Sequence, residues 1–189
     1  MALQKINWKI HFENPEAASS DTFFKVFNKW IPNSPEIFVD VADYQHVHDG
    51  PWTILIGHYV DYALDHTNRR LGFQFNRKQP LSGNTETNLR QTLLEFLQAC
   101  KKLISFSEFQ PPLKFNTQEL LFIVNDRALS PNTESTWITL QPELKKVLTS
   151  LYGEGQFSLS WLNDPKQRFS VLIKAKHAPS LDELISRLG

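Results

Sequence analysis

The stretch Lys5-Ile6-Asn7-Trp8-Lys9-Ile10-His11-Phe12 alternates strictly between polar and apolar side chains. Because successive side chains of a β-strand point to opposite faces of the sheet, this alternation predicts a strand with one buried and one polar face. The apolar set is Ile6, Trp8, Ile10 and Phe12, and the polar set is Lys5, Asn7, Lys9 and His11. The stretch therefore favours an antiparallel sheet that helices cover on one face only.

The rest of the chain continues this pattern of strands and amphipathic helices. Further strands are predicted at residues 36–42, 52–65, 71–77, 115–124, 157–162 and 169–175. A helix beginning near Ser20 is stopped by Pro32, and the clearest helix carries an apolar stripe from Leu89 to Ile104. A third helical region, with Pro142 as a kink or a new start, precedes a fourth that opens with the capping box Ser180 to Glu183.

These elements predict an α+β fold in a single domain over residues 1–189. We expect a mainly antiparallel sheet of about seven strands, with four helices mostly on one face. Residues 1–110 and 111–189 both follow the order strand, helix, strand, strand, helix, with one added strand in the first half. An internal duplication of βαββα halves and a chance recurrence of a common order both remain open.

The composition narrows the class of protein. Twenty basic and twenty acidic residues cancel, which argues against a dedicated nucleic-acid binder, because phosphate neutralisation needs a basic surface. No apolar run reaches the roughly 20 residues that span a bilayer, so we expect no membrane association. The N-terminal residues 1–5 contain no apolar signal-peptide core, which favours a cytoplasmic protein.

Four of the six histidines lie between His46 and His66. Imidazole and carboxylate groups bind zinc, iron and manganese, so His46, His48 and Asp61 are weak candidates for a metal site. The alternative is that they are ordinary loop and core residues, and we expect no cofactor. His58 shares its parity with Ile54 and Ile56, which predicts a buried, uncharged and hydrogen-bonded histidine.

The chain also resembles a family of uncharacterised bacterial cytoplasmic proteins. The likeness rests on Asp40-Val41-Ala42-Asp43-Tyr44 with His46, Gly50-Pro51, Leu55-Ile56-Gly57-His58 and Asp61-Tyr62-Ala63-Leu64-Asp65. It continues in Phe122, Asn125-Asp126-Arg127, Pro131-Asn132-Thr133 and Leu151-Tyr152-Gly153. The resemblance implies a bacterial cytoplasmic origin and one compact unit, but no activity, cofactor or catalytic residue.

The uncovered face of the predicted sheet is a candidate surface for a ligand or partner. Acidic, basic and aromatic groups together can line such a surface, although a plain solvated face is the alternative. By parity this face carries Lys9, His11, Asp40, Tyr59, Asp61, Gln74, Asn76, Ser158, Ser160, Ser170 and Lys174.

Two further sets of polar residues are candidate functional sites. Asp40, Asp43, Asp61 and Asp65 could bind a cation or transfer protons if two of them lie close together, and are otherwise solvated strand ends and turn caps. Asn125, Asp126 and Arg127 follow an apolar strand, where loops carry functional residues and where Asx residues also make turns.

The sequence argues against RNA binding, a reactive thiol, nucleotide binding and a serine nucleophile. The segment Leu71 to Phe75 alternates like a core strand rather than presenting exposed aromatic rings to RNA bases. Cys100 lies on an apolar helix stripe, which is typical of an inert buried thiol. The sequence contains no phosphate-binding glycine loop, dinucleotide fingerprint or Gly-x-Ser-x-Gly motif.

The sequence therefore favours a non-catalytic binding or protein-interaction module of the bacterial cytoplasm, with a small molecule or a protein as its partner. The alternative is a small metal-assisted hydrolase that uses the segment from His46 to Asp65. Zero net charge and free sheet edges also favour a homodimer, formed through the open sheet face or a strand edge.

Overall fold

A computed structural model describes residues 2–189 and confirms the α+β class. One antiparallel sheet contains eight strands, where about seven were expected. The strands are β1 (Ile6–Phe12), β2 (Phe38–Asp43), β3 (Pro51–Gly57), β4 (Val60–Asp65), β5 (Gly72–Arg77), β6 (Phe115–Val124), β7 (Phe157–Trp161) and β8 (Ser170–Ala175). The helices are α1 (Ser20–Trp30), α2 (Thr85–Ile104), α3 (Glu134–Tyr152) and α4 (Leu181–Leu188).

The strand order is β2-β3-β4-β5-β1-β6-β8-β7, so the first strand of each half lies at the centre of the sheet. The strands β1 and β6 pair with each other in the middle of the sheet. The other neighbour of β1 is β5, the last strand of the first half, and the other neighbour of β6 is β8, the last strand of the second half. The topology of β6, β8 and β7 thus matches that of β1, β5 and β4. The first half adds β2 and β3 at its outer edge, one strand more than the sequence pattern predicted.

The helices pack on one face of the sheet, and the main core lies between them and the strands. The α2 stripe is confirmed, because Leu89, Leu93, Phe96 and Leu97 are completely buried, although Ile104 at the helix end is exposed. The indole of Trp8 on β1 donates a hydrogen bond to Thr92 on α2, which fixes the sheet against its longest helix. Among residues 2–189, no helix is both long and apolar enough to cross a membrane.

The expected long strand over residues 52–65 is wrong. The chain turns at His58 and Tyr59, so that β3 and β4 form a hairpin in which Leu55 faces Tyr62. A two-residue turn reverses the parity of the second strand relative to the first. His58 is consequently exposed in the turn, and its expected burial in the core is also wrong.

Pro142 neither breaks α3 nor starts a separate helix. The helix runs without interruption from Glu134 to Tyr152 and contains the proline. A proline has no N–H group, so inside a helix it leaves the carbonyl four residues earlier without its usual donor. Here that carbonyl belongs to Ile138. Ile138 is exposed, so water can satisfy that carbonyl. At the other end, Gly153 closes the helix with a positive φ of 96°, as expected of a C-terminal glycine.

Candidate binding site on the open sheet face

The sheet face opposite the helices carries polar side chains at its centre. On β1 these are Asn7, Lys9 and His11, as the alternation predicted. In register with Lys9 lie Gln74 on β5 and Leu121 on β6. The face is not simply solvated, because Lys9 is only 1% exposed and Asn7 is completely buried. Buried polar groups of this kind require specific partners or they destabilise the fold.

Lys9 finds its partner two strands away. Its ammonium lies 2.5 Å from Asp65 Oδ2 on β4 and donates a second hydrogen bond to the carbonyl of Arg70 at 2.8 Å. The side chains of both Lys9 and Asp65 are 2% exposed. Thr67 completes the arrangement, because its hydroxyl and its backbone amide both donate to the Asp65 carboxylate.

A glycine makes room for this ion pair. Gly72 on β5 stands between Lys9 and Asp65 in the sheet, directly across from His11 on one side and from Asp65 on the other. A Cβ atom at this position would approach Lys9 Cε to 2.9 Å and would also collide with the carbonyl oxygen of Ile10. The absent side chain therefore lets the lysine cross β5.

His11 belongs to a second charged group beside the first. Its Nδ1 lies 3.2 Å from Glu119 Oε1, and Arg70 approaches the same oxygen to 2.7 Å. Neither contact is aligned as a hydrogen bond, so His11 Nδ1 and Glu119 Oε1 lack a hydrogen-bond partner within residues 2–189. Burial, followed by the positive charges of Lys9 and Arg70, lowers the pKa of His11 to about 4, although Glu119 opposes this effect. The imidazole is therefore neutral at pH 7.

A cavity of about 110 Å³ opens between these groups, and we call it the face cavity. Its polar wall consists of Lys9, His11, Asp65, Thr67, Asn68, Arg70, Gln74 and Arg168. Its apolar wall consists of Leu121, Ile123, Leu162 and Leu172. With His11 neutral, the lining has three basic side chains and one acidic side chain, so the cavity carries positive charge.

Arg168 is the cation in the face cavity without a carboxylate partner. It lies in the loop between β7 and β8, and among residues 2–189 it forms no ion pair. Within residues 2–189, its guanidinium donates one hydrogen bond, a long contact of 3.4 Å to the side-chain oxygen of Asn125. Burial lowers the pKa of Arg168, with Asp65 acting in the opposite direction, yet a guanidinium stays charged at neutral pH. A partly buried cation of this kind can bind an anion from outside the chain.

Two other hollows fit a ligand site less well. A groove of about 880 Å³ runs along α3, but its charged lining is mainly acidic. It consists of Glu86, Asp126 and Glu143 together with Lys146, which lies close to both glutamates. A hollow of about 350 Å³ lies on the other side of Arg70, where Trp52 stacks on His66 at 4.4 Å between ring centroids. It shares His11 and Arg70 with the face cavity and so extends the same site.

The structure does not bring the candidate metal ligands together. His46 and His48 are exposed in the loop between β2 and β3. Asp61 stands at the opposite end of the hairpin, where it accepts hydrogen bonds from the Gly57 amide and the Lys78 ammonium. Within residues 2–189, no three His, Cys, Asp or Glu side chains are grouped so that they could hold a metal ion.

The other expected site residues are scattered. Of the open-face candidates, Lys9, His11 and Gln74 line the face cavity, while Asp40 is exposed on the edge strand β2. Tyr59 is displaced from the sheet face to the β3–β4 turn, where Arg77 lies 5.8 Å from its ring centroid. The four aspartates considered as a carboxylate group are also apart, because Asp61 binds Lys78 and Asp65 binds Lys9.

The Asn125-Asp126-Arg127 loop has mainly local roles. Asp126 caps a turn by accepting a hydrogen bond from the Leu129 amide, which fits the Asx-turn interpretation. Asn125 contacts Arg168 and so touches the site indirectly. Arg127 is exposed and forms no ion pair with residues 2–189.

Sequence reasoning placed Lys9 on the open face but missed the partners that give it chemistry. Asp65 was expected either in a carboxylate group that binds a cation or transfers protons, or as a strand end or turn cap. Arg70, Glu119 and Arg168 were not singled out as site residues. The available signal was a lysine in the middle of an apolar central strand, because a buried ammonium needs a carboxylate nearby. A comparison of the chain with protein-family models, curated proteins and solved structures found no match.

Proposed function

We propose that this is a non-catalytic binding protein of the bacterial cytoplasm, and that its ligand is a small organic anion held in the face cavity. The observation that carries the proposal is Arg168, a half-buried cation at the cavity without a carboxylate partner. Arginine suits this role because its planar guanidinium matches the geometry of a carboxylate. An anion seated there would supply the missing counter-charge.

The rest of the lining supports a carboxylate rather than a bare inorganic ion. Leu121, Ile123 and Leu172 form an apolar wall beside the charged groups. A ligand with an anionic head and a short hydrocarbon body would satisfy both walls, whereas phosphate would leave the leucines in contact with polar oxygens. The volume of about 110 Å³ limits the body to a few heavy atoms.

The unpartnered polar atoms nearby also support a ligand that brings hydrogen-bonding groups. His11 lines the face cavity, and its buried Nδ1 atom has no hydrogen-bond partner within residues 2–189. Buried polar atoms are normally satisfied, so this part of the lining favours a polar partner from outside the chain.

A homodimer remains part of the proposal. The edge strand β2 and the residue before it expose Ile37 and Val39, which are 61% and 70% accessible. Open strand edges and zero net charge both favour self-association. Light scattering over a tenfold dilution range tests this point, and a constant mass near that of the 21.9 kDa chain would exclude a stable dimer.

The ligand class is tested by titrating the protein with propionate, propanol and propylammonium in a calorimeter. The three probes share a hydrocarbon body and differ in the charge of the head group. We expect propionate alone to bind, because the cavity is positively charged and Arg168 lacks a counter-ion. Inorganic phosphate in the same assay distinguishes carboxylate recognition from general anion binding.

The matched variants are Arg168→Gln and Arg127→Gln. Both remove one guanidinium from the same region of the surface, but Arg127 does not line the cavity. We expect Arg168→Gln to weaken propionate binding by about tenfold or more, since a charge-assisted pair contributes roughly 1.5–3 kcal/mol. Equal affinity in the two variants, or equal binding of the three probes, would refute the proposal.

A further inference from the structure

We infer that Lys9 is an amine nucleophile that captures a small 2-oxo acid in the face cavity as a reversible imine. The inference rests on the proposed function, because the same cavity must first hold the carboxylate of the ligand. It goes further in naming the ligand class and a covalent bond. The geometry that carries it is the position of Lys9 in the lining of the cavity, with its ammonium beside the buried carboxylate of Asp65.

The Lys9 nitrogen is held in place and can be relieved of a proton. Asp65 and the carbonyl of Arg70 each accept one of its hydrogen bonds, at 2.5 and 2.8 Å. An ammonium has three N–H bonds, so these two contacts orient the nitrogen without using all of its donors. Desolvation of Lys9 also lowers its pKa, against the opposing pull of Asp65, which makes the neutral amine more accessible than on a surface lysine.

The chemistry balances without a cofactor. Asp65 takes a proton from the ammonium, and the freed electron pair forms a bond to the carbonyl carbon of the oxo acid. The π electrons of the carbonyl move to its oxygen. That oxygen receives one proton from the nitrogen and the proton held by Asp65, and it leaves as water when the nitrogen forms its double bond. One ammonium and one carbonyl thus become one protonated imine and one water, and the total charge is unchanged. The iminium keeps Asp65 as its counter-ion.

The ligand class follows from two residues of the cavity lining, Arg168 and Lys9. Arg168 would bind the carboxylate, and Lys9 would meet the adjacent carbonyl carbon. The two reactive groups of a 2-oxo acid lie on neighbouring carbons, so the ligand is short, as a volume of about 110 Å³ demands. The apolar wall at Leu121 then contacts the substituent on the carbonyl carbon. Glyoxylate and pyruvate are the simplest probes.

The experiment traps the imine in the full-length protein. The protein is incubated with pyruvate and cyanoborohydride, digested, and analysed for reductively modified lysines by peptide mass spectrometry. We expect Lys9 to be modified at least about tenfold faster than the exposed Lys145 and Lys166, although it is far less accessible to reagents. In urea-unfolded protein this preference should disappear. Modification of Lys9 no faster than that of the exposed lysines would overturn the inference.

Arg168→Gln separates carboxylate recognition from amine chemistry. It should slow trapping of pyruvate at Lys9 by about tenfold, yet leave unchanged the trapping of acetaldehyde, which lacks a carboxylate. Equal slowing of both probes, or of neither, would contradict the assigned roles. If propionate binds normally while Lys9 is not trapped, the imine alone fails. If propionate does not bind either, the proposed function fails with it.

Discussion

Lys9 on β1 and Asp65 on β4 form a buried ion pair at 2.5 Å, although β5 lies between their strands. The lysine crosses β5 at Gly72, where no side chain obstructs it. The pair therefore ties three strands together on the face that no helix covers. It also explains how a lysine can occupy the centre of a sheet, because its ammonium has a carboxylate within hydrogen-bonding distance.

We expect the removal of one partner of the Lys9–Asp65 pair to reduce the stability of the protein strongly. Asp65→Asn should lower the free energy of unfolding by about 3–5 kcal/mol, because it leaves a buried ammonium without a counter-charge. The measurement is urea unfolding followed by tryptophan fluorescence. Asp182→Asn is the control, since it removes the partner of Lys101 from an exposed ion pair and should change stability by at most about 1 kcal/mol. Similar losses in both variants would show that Lys9 is not buried as described.

We also expect a side chain at position 72 to destabilise the protein for steric reasons. Gly72→Ala should destabilise the protein by about 1–3 kcal/mol, because the new Cβ would contact the Ile10 carbonyl and displace Lys9 from Asp65. Thermal unfolding measures the loss. Gly189→Ala serves as the control, since its Cβ would meet the Ile185 oxygen at an ordinary 3.5 Å. An unchanged melting temperature for Gly72→Ala would mean that the strands can move apart at no cost.

Local pattern predicted most elements of this fold, but it failed at one tight turn. Ile54, Leu55 and Ile56 are followed after three residues by another apolar strand, and the two runs were interpreted as one. Gly57 was the available signal, because a glycine within a strand pattern often marks a bend. A Cβ at Gly57 would collide with the carbonyl of Val60, so this turn needs glycine. The parity error at His58 follows directly.

The site was harder to predict than the fold, because it depends on contacts between distant parts of the chain. Alternation alone placed Lys9 and His11 on the open face, and this was confirmed. Lys9 and Asp65, however, are 56 residues apart, and their meeting depends on the strand order and on Gly72. The histidines between His46 and His66 do not share one place in the fold. His46 and His48 lie in an exposed loop, His58 lies in the β3–β4 turn, and His66 stacks on Trp52.

We expect a large loss of stability when Phe96, the aromatic residue on the buried face of α2, is truncated. Phe96 is completely buried and packs against the rings of Phe73 and Phe75, at 6.1 and 6.2 Å between centroids. Phe96→Ala should therefore lower the free energy of unfolding by about 3–5 kcal/mol in urea titrations. Phe24→Ala makes the same substitution on α1 at a residue that is 42% exposed, and it should have a much smaller effect. Equal effects would mean that the buried face of α2 is misassigned.

His11 predicts how stability depends on pH. Its pKa is about 4 in the folded protein, where burial and the charges of Lys9 and Arg70 oppose protonation, and about 6.5 when unfolded, although Glu119 partly compensates. Between these values the unfolded chain binds more protons, so the free energy of unfolding falls as the pH falls through this window. The contribution of His11 is fully present above pH 6.5 and lost near pH 4, and it amounts to roughly 1–3 kcal/mol.

Carboxylates also titrate in this range, so the test compares variants rather than one curve. His11→Gln keeps a polar side chain of similar length but removes the titration, and its stability should fall less steeply between pH 6.5 and 4 than that of the wild type. His48→Gln is the control, because His48 is exposed in the β2–β3 loop and should leave the wild-type slope unchanged. Urea unfolding at four pH values gives each slope. If His11→Gln parallels the wild type throughout, His11 is protonated as easily in the folded protein as in the unfolded chain.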